Sequence, residues 1–247
     1  MRVICLVPSL TETLIECGVE VVGRTRFCIH PAAQVRSIPI VGGTKSVNWD
    51  KCLTLNADIV VFDREENTQE MATACPLAWY ATHINSVDSI GEELHKLAEQ
   101  LGNPSLAKMA DQWTLLCKKE SAPKPDWSNV PGMLENLGNT ENTYSRVQYI
   151  IWRDPWMAVG QQTFIGSMLE HFDFDDCLSK SEKNYPELSE AQMAKSNTFY
   201  LFSSEPYPFL KHKQRLIDHG FNGAIVDGEV YSWFGIRSYR ALSEYLN

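Results

Sequence analysis

Short apolar runs alternate with helical patterns along most of this 247-residue chain, and the alternation limits the folds open to it. The first run, residues 3–7, leads into a Pro-Ser turn and a helical stretch that Gly18 closes. Further runs at 38–41 and 57–62 are separated in the same way. Such alternation is typical of parallel sheets, because neighbouring parallel strands need a crossover connection. It predicts an α/β fold with parallel central sheets.

The alternation is interrupted once, which divides the chain. Residues 1–85 are predicted to form an N-terminal α/β lobe, and residues 146–247 a C-terminal one. Over 86–122, apolar side chains recur at helical spacing on both sides of a Gly-Asn-Pro break, which predicts two successive helices. Residues 123–145 are rich in Pro, Asn, Gly and charge, so we predict an exposed connection there.

Two pairs of residues have the spacing of a capping box, in which a hydroxyl and a side chain three positions later satisfy the first amides of a helix. Ser9 with Glu12 predicts one helix start, and Ser189 with Gln192 predicts another. Both pairs come directly before or within a predicted helical stretch.

A weak internal repeat links the two predicted lobes. Residues 56–65 and 196–205 align with a constant offset of 140 (202 − 62), which matches Phe62 with Phe202 and Glu65 with Glu205. Two similar lobes facing one cleft would produce such a likeness, and chance is the alternative explanation.

Composition restricts the partners. Acidic side chains outnumber basic ones, 31 to 22, and the net charge of −9 repels phosphate backbones, which excludes nucleic acid as a partner. The apolar runs are a few residues long, whereas a membrane span needs about 20 consecutive apolar residues. We therefore predict no membrane span, and we expect a monomer with a small-molecule ligand.

The seven cysteines are odd in number and contain no CxxC spacing, which disfavours both a zinc ribbon and a disulfide framework. Free thiols within apolar patterns fit a reducing compartment. The first residues also lack the pattern of an export signal. The sequence as written therefore predicts a cytoplasmic protein, or a periplasmic one if a signal peptide has been removed.

Aromatic side chains crowd the loops that follow the predicted strands, where ligands bind in open α/β sheets. They either cap the core of each lobe or line a cleft for a large flat ligand. The set is Phe27, Trp156, Tyr207, Phe209, Tyr231, Trp233 and Phe234.

Cys28 and His30 are the two residues whose chemistry and spacing best suit metal binding. Two positions apart in an extended loop, they would point the same way, and their sulfur and imidazole could bind a transition metal or the metal of a chelate. The alternative is a buried thiol beside a histidine that holds the loop by hydrogen bonds. The chain has no nucleophile-elbow, P-loop, dinucleotide-binding or zinc-protease motif, and no base for Cys28 can be identified, so we predict that it is not an enzyme.

Seven segments carry a resemblance: VPSLTETL (7–14), TRFCIHP (25–31), VGGTK (41–45), ADIVVFDREEN (57–67), IIWRDPWMAVG (150–160), LFSSEPYPF (201–209) and VDGEVYSWFG (226–235). Together they resemble the helical-backbone metal receptor family, the substrate-binding proteins of ABC importers, and its cobalamin-binding branch in particular. The resemblance implies two α/β lobes joined by a long backbone helix, with residues 86–122 as the helical spine. It also implies a ligand held in the inter-lobe cleft and no required cofactor.

Carried onto this sequence, the resemblance places cobalamin or a similar metal-containing macrocycle or chelate against the strand-end loops. The predicted ligand-binding residues are Phe27, Cys28, His30, Trp156, Tyr207, Tyr231 and Trp233. Docking to an ABC permease is assigned to one acidic residue on each lobe, Glu65 or Glu66 on the first and Glu205 on the second. The alternative is a cytosolic metal-ion or haem/siderophore receptor that uses Cys28 and His30.

Overall fold

The computed structural model describes residues 1–119, 126–138, 144–174, 178, 181–193 and 197–247. The chain divides into two compact units. Unit 1 contains Met1–Lys118 and Trp233–Tyr239, and unit 2 contains Lys119–Ser232 and Arg240–Asn247. Each unit is built on its own sheet with helices, so the predicted α/β class is confirmed.

Unit 1 contains a five-stranded sheet in which every strand is parallel to its neighbours, in the order β3-β2-β1-β4-β5. Its elements are β1 (Arg2–Cys5), α1 (Pro8–Glu16), β2 (Glu20–Thr25), α2 (Ala32–Val35), β3 (Ile40–Gly42), α3 (Trp49–Leu53), β4 (Ile59–Asp63), α4 (Gln69–Thr73), β5 (Trp79–Thr82), α5 (Val87–Leu101) and α6 (Pro104–Leu116). The central strands β1 and β4 are almost entirely buried, because helices cover both faces of a parallel sheet.

The predicted capping box at Ser9 and Glu12 is wrong. Helix α1 begins two residues earlier, with Pro8 in its first turn and Val7 as an N-cap that supplies no side-chain hydrogen bond. Proline suits this position, because its missing N–H would have no partner in the first turn. Glu12 has a different partner, described below, in a distant part of the chain.

The two helices predicted over 86–122 are confirmed as α5 and α6. Gly102 ends α5 in the left-handed conformation, Asn103 caps α6 by accepting from the amide of Leu106, and Pro104 begins it. Both helices belong to unit 1 up to Lys118. Their role as a spine between the lobes stays a prediction.

Unit 2 contains a six-stranded sheet in the order β6-β11-β10-β7-β8-β9, with parallel pairing of β10 to both β7 and β11 and antiparallel pairing elsewhere. Its elements are β6 (Met133–Asn136), β7 (Arg146–Trp152), β8 (Trp156–Ala158), α7 (Phe164–His171), β9 (Glu187–Leu188), α8 (Glu190–Met193), β10 (Thr198–Ser203), a 3-10 turn (Phe209–His212), α9 (Lys213–Asp218), β11 (Gly223–Val226) and α10 (Gly228–Ser232). Helix α11 (Ile236–Tyr245) begins in unit 1 and ends in unit 2.

The exposed connection predicted over 123–145 contains a strand, so that prediction is wrong for Met133–Asn136. This segment forms β6 and pairs antiparallel with β11 at the edge of the sheet. Half of its side chains face solvent, which hides the strand from a search for apolar runs. The capping pair of Ser189 and Gln192 is confirmed, since the amide of each residue donates to the side chain of the other.

The internal repeat corresponds to a shared topology. Strands β4 and β10 each lie between two parallel neighbours, and Phe62 and Phe202 are buried at matching positions near their ends. Within the described ranges, no helix has the length and apolar content to cross a membrane. Cys177 lies outside the described residues.

Candidate functional site

The loop after β2 exposes apolar side chains at the carboxyl edge of the unit 1 sheet. Phe27 is 46% exposed and Ile29 is 51% exposed, and the guanidinium of Arg26 lies 4.8 Å from the centre of the Phe27 ring. Exposed apolar side chains grouped in one loop are typical of a binding surface, because burying them against a ligand is favourable.

Trp233 joins this loop because the chain returns to unit 1 at that residue. Its ring makes an edge contact with the half-buried imidazole of His30, with 5.5 Å between ring centres. We call Phe27, Ile29, His30 and Trp233 the unit 1 aromatic surface. Phe27, His30 and Trp233 are three of the seven predicted ligand-binding residues.

An ion pair between a buried carboxylate and a partly buried guanidinium holds the returning segment. Arg237 donates from Nε and Nη2 to the two carboxylate oxygens of Glu12, at 3.0 and 2.8 Å, and its guanidinium lies 5.5 Å from the centre of the Trp233 ring. The amide of Ile236 donates to Thr13 Oγ1 at 3.0 Å. Helix α1 therefore positions Trp233 through two of its polar side chains, and no local sequence signal marks Glu12 or Arg237 for this role.

Cys28 lies in the core of unit 1. Its Sγ is 3.1 Å from the hydroxyls of Thr11 and Thr25, and burial raises the pKa of its thiol. Metal binding needs the thiolate, so this environment disfavours coordination. His30 instead packs against Trp233, and neither residue belongs to a cluster of three metal-ligating side chains among the described residues.

Two predicted ligand-binding residues of unit 2 lie in its core. Trp156 is 5% exposed and stacks parallel to the ring of Phe209, with 6.2 Å between centres. Tyr231 is fully buried, packs against Tyr149, and donates its hydroxyl to the carbonyl of Pro131 at 2.7 Å. In this arrangement neither ring presents a face to solvent.

Unit 2 exposes a different aromatic pair. Trp152, the last residue of β7, is 40% exposed, and its ring lies edge-on to half-buried Tyr207 at 5.6 Å. We call Trp152 and Tyr207 the unit 2 aromatic pair. Sequence reasoning named Tyr207 but missed Trp152. Its position at the end of a strand was the available signal, because the carboxyl end of a parallel strand faces the ligand side.

The loop after β4 is fixed by the carboxylate of Asp63. Its Oδ2 accepts from Thr82 Oγ1 at 2.7 Å and from the amide of Ile84 at 3.1 Å, and its Oδ1 accepts from the amide of Glu65 at 2.9 Å. Asn67 closes the loop by accepting from the Asp63 amide. We call this arrangement the Asp63 lock.

The predicted docking glutamates have different environments. Glu65 is exposed, and its Oε1 lies 3.1 Å from His83 Nε2. Glu66 is half-buried, and burial raises the pKa of its carboxyl against the opposing effect of Lys45. Glu205, which matches Glu65 in the internal repeat, is half-buried after β10. Of the two alternatives in unit 1, Glu65 is the carboxylate accessible to a partner.

Each unit is α/β and carries aromatic side chains at the ends of its strands. Solved structures with a similar fold exist. The periplasmic vitamin B12 binding protein BtuF of Vibrio cholerae is 17% identical, with a TM-score of 0.67 over 99% of this chain and 96% of that one. The periplasmic heme-binding protein RhuT from Roseiflexus sp. RS-1 is 17% identical, with a TM-score of 0.69 over 99% and 96%. The periplasmic heme-binding protein HutB of Vibrio cholerae is 14% identical, with a TM-score of 0.67 over 100% and 97%.

These similarities confirm, at the level of the fold, the resemblance that the seven sequence segments carry. No protein-family model matches the chain. No curated protein matches its sequence. The three similar structures are all binding proteins, and they differ in ligand, since one binds vitamin B12 and two bind heme.

Proposed function

We propose that this protein binds a metal-containing macrocycle, cobalamin or haem, and delivers it to an ABC-type permease without chemical turnover. The observation that carries the proposal is the unit 1 aromatic surface, with exposed Phe27 and the contact of His30 with Trp233 at the carboxyl edge of a parallel sheet. The similar structures support it, because they bind vitamin B12 or heme.

The chemistry of the surface suits a large flat ligand. A tetrapyrrole or corrin ring offers wide apolar faces, and stacking on Phe27 and Trp233 would bury apolar area on both partners. The unit 2 aromatic pair, Trp152 and Tyr207, offers a second surface of the same kind. Binding by apolar contact requires no catalytic group and no resident cofactor.

Haem is the form of this proposal in which His30 has a direct role. A neutral imidazole is a common axial ligand of haem iron, and His30 is half-buried within the unit 1 aromatic surface rather than enclosed in the core. Cys28 contributes less to this alternative, because its sulfur is buried between two threonine hydroxyls.

A periplasmic address fits this function, since a permease takes up ligand from outside the cytoplasm. The three similar structures are all periplasmic, and the predicted cytoplasmic location has no support among them. The cysteines do not oppose this address: Cys5, Cys17, Cys28 and Cys52 are buried, which protects their thiols from oxidation. Glu65 and Glu205 are the proposed docking carboxylates, and Glu66 is the alternative in unit 1.

Isothermal titration with cobalamin, cobinamide, haem and a ferric siderophore tests the proposal. We expect at least one Kd well below about 1 mM, and we expect Phe27→Ala and Trp233→Ala each to weaken that Kd by about tenfold, the equivalent of about 1.4 kcal/mol. Leu115→Ala is the control, since Leu115 is an exposed apolar residue on α6 outside the proposed surface. Failure of all four ligands to bind contradicts the proposal.

The haem alternative has a separate readout. If His30 is an axial ligand, His30→Ala changes the absorption spectrum of bound haem, whereas Phe27→Ala lowers affinity and leaves the spectrum unchanged. An unchanged spectrum in His30→Ala refutes axial ligation by this residue.

A further inference from the structure

A cavity lies in unit 1, and none of its lining residues belongs to the unit 1 aromatic surface. It has a volume of about 600 Å³, between helix α4 and the edge strand β5. Pockets of about 300–1,000 Å³ are typical of small-molecule sites. Its lining includes Asp63, Arg64, Asn67, Thr68, Ala72 and Trp79.

One wall of this cavity is aromatic and incompletely covered. Trp79 is 48% exposed, and its ring contacts the buried ring of Phe62 edge-on, with 6.0 Å between centres. Ala72 of α4 and Ala81 of β5 are small, which leaves the space in front of the indole open. A large exposed indole beside a cavity offers a stacking surface for an aromatic ring.

Most polar groups of the lining are already used. Both oxygens of the Asp63 carboxylate belong to the Asp63 lock. The Asn67 amide accepts from Asp63 N and donates to the carbonyls of Leu6 and Thr44. Thr68 caps α4 by accepting from the amide of Met71. These three residues therefore shape the cavity but offer little to a ligand.

Arg64 is the remaining charged group of the lining. It is exposed and acts electrostatically on Tyr80 of the same lining, and no ion pair of Arg64 is found among the described residues, while the carboxylate of its neighbour Asp63 belongs to the Asp63 lock. Arg64 and Trp79 line the same cavity, and a guanidinium together with an open indole is complementary to an aromatic ring that carries an anionic group.

We propose that this cavity is a second binding site, for a planar aromatic compound with a single anionic group, stacked on Trp79 and paired with Arg64. The site is separate from the one in the proposed function, and neither depends on the other. It recognises its ligand by one ring surface and one charge, so a neutral compound of the same shape binds through the ring alone.

Two fluorescent probes of nearly the same shape test this directly. Anilinonaphthalene sulfonate carries the anionic group, and N-phenylnaphthylamine lacks it. We expect the sulfonate to bind the native protein with a Kd below about 1 mM, and Arg64→Gln to weaken it by about tenfold, the loss expected for one charge-assisted contact. The affinity of the neutral probe should stay within about twofold in Arg64→Gln, since it makes no such contact.

A second set of variants tests whether the probes bind in the cavity itself. Ala72→Phe places a ring in the open space and should weaken both probes by about tenfold or more, whereas Ala74→Phe adds the same ring at an exposed position of the α4 terminus and should change neither. Trp79→Ala should also weaken both probes and, because the indole is half exposed, should leave the fold intact. Binding that survives Ala72→Phe and Trp79→Ala overturns the proposal, as does an equal loss of both probes in Arg64→Gln.

The same variants separate this site from the proposed function. Ala72→Phe and Arg64→Gln should leave the affinity for cobalamin or haem unchanged, and Phe27→Ala should leave the sulfonate affinity unchanged. Competition between haem and the sulfonate for one site would refute the second site while leaving the proposed function standing.

Discussion

The two units stabilise their strand-end loops by different means. In unit 1 the loops are held by charged groups: the Glu12–Arg237 pair fixes the segment that carries Trp233, and the Asp63 lock fixes the loop after β4. In unit 2 the rings themselves pack together, with Trp156 against Phe209, and the polar contacts come from serine and tyrosine hydroxyls and from the Asp227 carboxylate, which accepts from the amide of Glu229.

This difference explains where aromatic residues remain available to a ligand. The guanidinium of Arg24 holds the loop after β2 by donating to the carbonyls of Val35, Thr25 and Cys28, so the ring of Phe27 is not needed to anchor the chain and faces solvent. In unit 2 the ring of Trp156 is part of the core, whereas Trp152 and Tyr207, at the ends of other strands, are partly exposed. An aromatic residue after a strand is therefore a binding candidate only where something else holds the loop.

The largest expected effect compares Trp156 with Phe27. Trp156→Ala should lower the free energy of unfolding by about 3–5 kcal/mol, since it removes a buried ring and leaves a cavity. Phe27→Ala should change it by no more than about 0.5 kcal/mol, because the ring faces solvent. Urea unfolding followed by circular dichroism measures both, and equal losses would remove the contrast between core and surface rings.

The Glu12–Arg237 ion pair of unit 1 should give the next largest loss in the free energy of unfolding. Arg237→Ala leaves the buried carboxylate of Glu12 without its partner, so we expect a loss of about 3 kcal/mol. Lys213→Ala in unit 2 breaks a pair of the same kind, to Glu135 at 2.8 Å, but that pair is exposed and should contribute less than about 0.5 kcal/mol. Urea unfolding measures both losses. Equal losses in the free energy of unfolding for the two variants would contradict the expectation that the more buried pair contributes more.

Asp63 and Ser203 occupy matching positions in the internal repeat and differ in charge. Asp63→Asn replaces one carboxylate oxygen by an NH2 group, which would face a hydrogen-bond donor, either the Glu65 amide or the Thr82 hydroxyl. We expect the free energy of unfolding to fall by about 2–3 kcal/mol at pH 7. Ser203→Ala removes one neutral hydrogen bond, from the Tyr149 hydroxyl at 3.2 Å, and should cost about 1 kcal/mol. A larger loss in Ser203→Ala than in Asp63→Asn would reverse the comparison.

The stability difference between the native protein and Asp63→Asn should depend on pH. Burial raises the pKa of the Asp63 carboxyl, so the native state binds this proton more tightly than the unfolded state. As the pH falls from 7 towards 4, the free energy of unfolding of the native protein should therefore rise relative to that of Asp63→Asn. A difference that is constant or shrinks over this range contradicts the raised pKa.

The smallest effect should be that of Glu65→Gln. Glu65 is exposed and only its contact with His83 is lost, so we expect a change within about 0.5 kcal/mol. Thermal unfolding at pH 7 checks it. A loss above about 1 kcal/mol would mean that this carboxylate belongs to the Asp63 lock rather than to a surface available for docking.

Elements with local causes could be predicted from the sequence. The apolar stripes of α5 and α6 and the Gly102-Asn103-Pro104 break between them are local, and so is the pairing of Ser189 with Gln192. The pairing of Ser9 with Glu12 has the same spacing and failed, because Arg237 competes for the Glu12 carboxylate from a position 225 residues away.

In the candidate site, too, some residues could be predicted from the sequence and others could not. Phe27, His30 and Trp233 were named from their loops and their segment resemblance; in unit 1 Phe27 is exposed, and His30 and Trp233 are partly exposed. Trp156 and Tyr231 were named on the same grounds and are core residues, while Trp152 was missed. A loop position does not reveal which face of a ring the neighbouring strands cover.

The α/β class, most of the succession of strands and helices and the kind of residue at each strand end follow from the amino-acid sequence alone, because periodicity and turn residues act over a few positions. Folding in three dimensions establishes which rings are buried, which carboxylate pairs with Arg237, and that a cavity opens beside Trp79. Each of these depends on contacts between residues far apart in the chain, and neither spacing nor composition encodes such contacts.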